Sequence, residues 1–312
     1  MMRCRLIATL PLLCSLLACG TNDNSQTGGT VPDSGSPDSG APDSGTLDGG
    51  TASCSPATTF DGGTAALVAG TVTANLVDET GAAMAAGQPV FITGLDISSQ
   101  PEETNASGAA SVSFSRSEKI PAFKYGDAVD YAEFGIPLTA ANTDFTKIGT
   151  GKLGTAKLSG KAGAPLTPGS NAVSGDVTVS VPAGAAVGIN PLIYETADQQ
   201  MFRAASIPLT NLGPVLANAP ADVALVFGLA PAETTICPPA KVTVAVPASL
   251  AWPAGSAVEF WIQSLDVGQT WAPYAGWAKI SDGTVSADGK TASTTGGFPV
   301  LENFAVRRVV PE

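Results

Sequence analysis

Short alternating runs of apolar and polar residues, broken by Gly, Pro, Asn and Asp, dominate the chain from about residue 60 onward. Alternation of period two puts successive side chains on opposite faces of a strand, and sustained helical periodicity is hard to find. In ALVAGTVTANLVD, Leu67, Ala69, Thr71 and Thr73 share one face and Val68, Gly70 and Val72 the other. QPVFITGLD brings Val90 and Ile92 into phase, and TNASGAASVSFS predicts a turn at Ser107-Gly108 followed by inward-facing Ala110, Val112 and Phe114. VTVSVPAGA at Val177 to Ala185 returns as VTVAVPASL at Val242 to Leu250. In both, three valines alternate and a proline, which cannot donate to a ladder, ends the strand. Val258, Phe260 and Ile262 then alternate against Glu259, Trp261 and Gln263, with turn signals at Asp282-Gly283 and Asp288-Gly289 and a last strand in NFAVRRVV. The pattern predicts an all-β fold of two or more Greek-key β-sandwich domains.

The first 59 residues depart from this pattern. Arg3 and Arg5 precede an apolar run from Leu6 to Ala18. That run has the length of a secretory signal and is too short for a ~30 Å hydrocarbon core, which needs about 20 apolar residues. After Cys19 the unit Pro-Asp-Ser-Gly occurs three times, from Pro32, Pro37 and Pro42, with hardly a large apolar residue before Phe60. Such a segment buries too little surface to offset its ordering entropy, so a disordered tether is expected, with a reach of about 35 Å. The expected organisation is a signal over 1–18, a tether over 19–59, a first sandwich over 60–117, a β-rich connection over 118–172 and a second sandwich over 173–312. The connection carries Lys147, Lys152, Lys157 and Lys161, with Lys124 upstream. These read either as a basic ribbon for an anionic partner or as solvated charges on an exposed strand.

Composition narrows the chemistry. Without Arg3 and Arg5, 13 basic residues stand against 27 acidic ones, a net charge of −14. A chain this acidic is not a nucleic-acid binder. It contains no histidine, which removes Ser-His-Asp and Cys-His catalysis and the commonest metal ligand. Gly-x-Ser-x-Gly, Ser-x-x-Lys and phosphate-loop patterns are absent, and the tether's aspartates lack the spacing of a calcium loop. No enzyme, cofactor or metal site is predicted, although a pair of carboxylates meeting in space remains compatible with any acidic chain. Cys54 and Cys237 are left once Cys4, Cys14 and Cys19 are assigned to the amino-terminal segment. They form either one disulfide or two free thiols. All four tryptophans lie between Trp252 and Trp277. Trp271, Tyr274 and Trp277 fall in a Gly- and Pro-containing loop, where they are the candidates for a sugar-binding platform. The alternative is core packing.

Leu16-Leu17-Ala18-Cys19 resembles the bacterial lipobox. The resemblance implies that the Cys19 thiol carries diacylglycerol and becomes the mature N-terminus; the alternative is an ordinary cleaved signal with a chance cysteine. Two or three acyl chains suffice for stable anchoring. Gly20, rather than an aspartate, implies the outer membrane, and the Pro-Asp-Ser-Gly tether is similar to those of myxobacterial lipoproteins. Gly70, Val72, Asp78, Gly81, Pro89, Val90, Ile92, Thr104, Asn105, Gly108 and Phe114 resemble the bacterial immunoglobulin-like and carboxypeptidase-regulatory-like modules, with Asn105 where an aspartate is usual. Val177, Val179, Pro182, Gly184 and Ala185, then Pro239, Val242 and Pro247, then Asp266, Gly268 and Trp271, then Phe304 to Val306, resemble the β-sandwich modules of netrin receptors and ankyrins. Self-cleavage known among the latter does not carry over to Asn303-Phe304-Ala305 in a chain without histidine. These resemblances imply a lipid-anchored envelope protein with a structural or adhesive role, or a carbohydrate-binding surface lipoprotein. Its partners would be the membrane, reached through the anchor, and a cell-surface polysaccharide or another envelope protein.

Overall fold

The computed structural model describes residues 66–67, 70–95, 98–114, 118–140, 142–266, 268–269 and 271–310. The signal, the tether, Cys19 and Cys54 lie outside them. The fold is all-β, with several sheets; among the described residues the only helical segments are single 3₁₀ turns at Phe145–Lys147, Leu209–Asn211 and Ala248–Leu250. No helix among them is long and apolar enough to cross a membrane. The described residues fall in one compact unit.

The amino-terminal half runs β1 (Ala66–Leu67), β2 (Gly70–Val77), β3 (Pro89–Thr93), β4 (Glu102–Glu103), β5 (Ala109–Phe114), β6 (Glu118–Lys119), β7 (Ala122–Tyr125), β8 (Phe134–Pro137) and β9 (Leu153–Gly154). Two small sheets, ordered β5-β2-β9 and β4-β3-β7-β8, face each other. Alternation selects their inner faces: Val72, Ala74 and Leu76 on β2, Val90 and Ile92 on β3, and Ala110, Val112 and Phe114 on β5 are buried. At the β2–β3 turn, Asp78 Oδ1 accepts from the Thr80 and Ala82 amides, and Gly81 takes φ +84°, which suits a residue without Cβ. Asn105 repeats the device at the turn from β4 to β5, its Oδ1 accepting from the Ser107 and Ala109 amides.

The carboxy-terminal half runs β10 (Asn171–Ser174), β11 (Val177–Ser180), β12 (Ala186–Gly188), β13 (Arg203–Ser206), β14 (Val223–Ala230), β15 (Thr234–Ala245), β16 (Ala257–Gln263), β17 (Trp277–Val285), β18 (Thr291–Thr294), β19 (Phe298–Leu301) and β20 (Phe304–Arg308). These eleven strands form one sheet, ordered β10-β11-β15-β18-β17-β16-β20-β14-β13, with β12 and β19 also on β15. The sheet curls until its ends meet, the Ala204 amide of β13 donating to Ser174 Oγ of β10 at 2.9 Å. It encloses an aromatic core in which Phe227 stacks on Phe304 at 5.0 Å and Phe298 meets Phe304 edge-on at 5.5 Å.

The two halves share a seam. Val226, Ala230, Trp277 and Ala305 of the carboxy-terminal half belong to the same apolar cluster as Phe123, Tyr125, Phe134 and Phe145. Two fully buried amides cross the seam. Gln263 Nε2 donates to the carbonyls of Gly135 (2.8 Å) and Ala275 (3.1 Å). Asn303 accepts from the Leu229 amide at 3.0 Å and donates to the Glu133 carbonyl. Backbones approach closely here. A Cβ on Gly228 would meet those of Ala132 and Ala156 at 2.6 and 2.8 Å, and one on Gly135 would meet that of Ala275 at 2.7 Å.

Candidate functional site

A cavity of about 330 Å³ opens at this seam, walled by β3, β7, the approach to β8, the segment after β12, the β14–β15 turn and the β16–β17 loop. Its ionisable groups are Lys124, Glu133, Tyr194, Glu233, Asp266 and Tyr274, with Thr93, Ser98 and Asn190 beside them. On β7, alternation sends Phe123 and Tyr125 into the amino-terminal core and turns Lys124 toward the carboxy-terminal half. There its ammonium pairs with Glu133, donates to the Leu265 carbonyl at 2.9 Å and stands 5.5 Å from the Phe91 ring centroid. Burial is the largest influence and pulls this ammonium down, but Glu133, Tyr274 and Glu233 together more than offset it and raise it. For Glu133, burial outweighs the pull of Lys124 and the carboxyl is raised.

Two further carboxyls are held away from easy ionisation. Glu233, in the β14–β15 turn at φ +59°, is raised by burial and then by the negative field of Asp266. Glu302, between β19 and β20, has no exposed surface, and burial followed by the field of Glu233 raises it well above the ordinary range. One of its oxygens accepts from Gln269 Nε2 at 2.8 Å; the other has no partner. Tyr194 accepts the Ala232 amide at 2.8 Å. The Tyr274 hydroxyl, on a residue only 5 % exposed, lies beside the Thr93 side chain without a well-formed hydrogen bond, and burial pushes it up to about 12.

Of the two readings of the aromatic candidates, their burial agrees with packing and not with a sugar-binding platform. Trp271, Tyr274 and Trp277 do lie in or beside the β16–β17 loop, but all three are buried, so they make no exposed platform. The physical reason is that the loop folds inward across the seam. Trp271 enters the carboxy-terminal core. Trp277 enters the shared cluster with Nε1 donating to the Val215 carbonyl at 3.0 Å, and Tyr274 lines the cavity. Cys237 on β15 is disulfide-bonded; its candidate partner Cys54 lies outside the described residues. The lysines form no single ribbon: Lys124 is in the cavity, Lys161 pairs with Glu79 at 2.7 Å and Lys147 with Asp144 at 2.7 Å.

Sequence reasoning missed Glu133, Glu233 and Glu302, and read Lys124 with the other lysines rather than with a buried carboxyl. A signal existed for Glu302: Glu302-Asn303 interrupts FPVL and FAV, an apolar context in which a polar pair belongs to a buried network. Among the described residues, no group of three or more His, Cys, Asp or Glu is placed to hold a metal ion. No family model matches the chain, nor does any curated protein or solved structure.

Proposed function

We propose that this is a lipid-anchored cell-envelope protein, of the outer membrane, whose β-rich body has a non-catalytic structural or interaction role. The observation that carries the reading is Leu16-Leu17-Ala18-Cys19 at the end of a short apolar segment and ahead of the Pro-Asp-Ser-Gly repeats. The body agrees with it: a compact unit whose halves are joined by a shared core and buried amides is built to hold its shape. The cavity offers carboxyls, phenols and one paired ammonium, and no nucleophile activated by a neighbouring base.

Labelling cells with radioactive palmitate tests the proposal. Label is expected in the wild-type chain and in the outer-membrane fraction. Cys19→Ser should abolish labelling and release the chain from the membrane. Equal labelling, or equal fractionation of the two forms, would refute it.

A further inference from the structure

We propose that the seam cavity binds a small organic cation through its primary ammonium group, held by Glu233 and Asp266 beneath the Tyr274 hydroxyl. This adds a ligand to the interaction role proposed above, and it does not depend on the anchor, because every residue involved lies between Gly50 and Glu312.

The argument begins with charge. Glu133, Glu233 and Asp266 line the cavity, three carboxyls around the one ammonium of Lys124. That ammonium is already committed to Glu133 and to the Leu265 carbonyl. Glu233 and Asp266 therefore face the space without a protein cation of their own. Glu233 is half-buried and Asp266 is exposed; like charges held close repel, as the rise of Glu233 in the field of Asp266 reflects, and a positive guest between them relieves that repulsion.

Unmet hydrogen bonds give a second, independent pointer. Buried polar atoms in native proteins nearly always find partners. Tyr274 is nineteen-twentieths buried, lines the cavity, feels the charges of Lys124, Glu133 and Asp266, and its hydroxyl, beside Thr93, makes no well-formed hydrogen bond. An ammonium has three donors to share among two carboxylates and that oxygen.

Size and lining then choose the kind of cation. A bare metal ion needs several oxygens at about 2.0–2.6 Å from one point, and the described residues hold no such cluster. The carboxyls are instead spread around about 330 Å³, with Phe91, Ile193 and Leu265 in the walls. That space suits a charged head on a short carbon chain. A neutral polyol would leave the surplus charge uncompensated.

Isothermal titration calorimetry on the full chain in detergent tests this with four probes: 1,5-diaminopentane, an N-acetyl-lysine amide, 1,5-pentanediol and calcium. Heat of binding is expected for the ammonium probes and none for the diol. Binding of both amines, or of either one, supports the recognition; the diamine alone assigns a free amine as its source, the lysine amide alone a protein side chain. Glu233→Gln and Asp266→Asn should each weaken amine binding about tenfold, the worth of one charge-assisted hydrogen bond. Tyr274→Phe should weaken it less, about threefold, with the thermal transition unchanged. Asp282→Asn, on β17 outside the cavity, should bind as the wild type does. The proposal is overturned if the folded chain binds neither amine, if the diol binds as well as the diamine, if calcium binds in preference to both amines, or if a folded Glu233→Gln/Asp266→Asn chain keeps wild-type affinity.

Discussion

The amino- and carboxy-terminal halves bury aromatic cores by different means. In the carboxy-terminal half the core side chains come from strands of one continuous sheet, and Phe227, Phe260, Phe298 and Phe304 form a connected set of ring contacts within it. In the amino-terminal half Phe123, Tyr125 and Phe134 come from strands of four residues, and Phe145 from a 3₁₀ turn. That core is completed by Val226, Ala230, Trp277 and Ala305 from across the seam. One half therefore supplies a scaffold and the other completes its core against it, so the two should unfold together.

The strongest way to break that comparison is Phe304→Ala, which removes a ring touching three others. We expect a loss of about 3–5 kcal/mol and a single denaturant transition for both halves, followed by tryptophan fluorescence and by far-ultraviolet dichroism. Two separated transitions would show that the amino-terminal half stands alone. Gln263→Leu should cost about 2–3 kcal/mol, because it strands the Gly135 and Ala275 carbonyls in the seam. Gly228→Ala should cost about 1–3 kcal/mol by overpacking Ala132 and Ala156.

A smaller effect separates the halves by pH. The folded state holds Glu302 in its protonated form well above its ordinary value near 4.5, so folding takes up a proton. Its contribution is fully present below that ordinary value and is lost as pH rises toward the folded one, by at most about 1.4 kcal/mol per unit. Glu302→Gln cannot titrate, so its thermal midpoint should gain on the wild type as pH rises above the ordinary value near 4.5. The groups around it are Gln269, Glu233, Glu133 and Lys124, and only Glu302 is removed by the variant. The smallest effect is expected on the amino-terminal surface. Lys147→Ala breaks a solvent-exposed pair with Asp144 and should leave the midpoint unchanged within error.

Much of the strand pattern was legible because alternation records which face meets a core. Val177 and Val179, Val242 and Val244, Val258, Phe260 and Ile262, and Ala110, Val112 and Phe114 are all buried as their spacing predicts. The cavity was not legible, because its members meet only through long-range pairing. Lys124 and the Leu265 carbonyl are 141 positions apart, and nothing in AFKY says that the outward face of that strand is covered by a loop from the other half. The aromatic loop shows the same limit. Gly and Pro around Trp271, Tyr274 and Trp277 mark a turn correctly, but they do not say whether the turn points to water or back across the sheet.

The close backbone approaches at Gly135 and Gly228 have a kinetic consequence. With no room for even a methyl group between the halves, neither can rock without opening voids along surfaces already in contact. The walls around Glu233 and Tyr274 are thus set before any guest arrives. Association should run as one bimolecular step, linear in guest concentration, with no slow opening phase ahead of it.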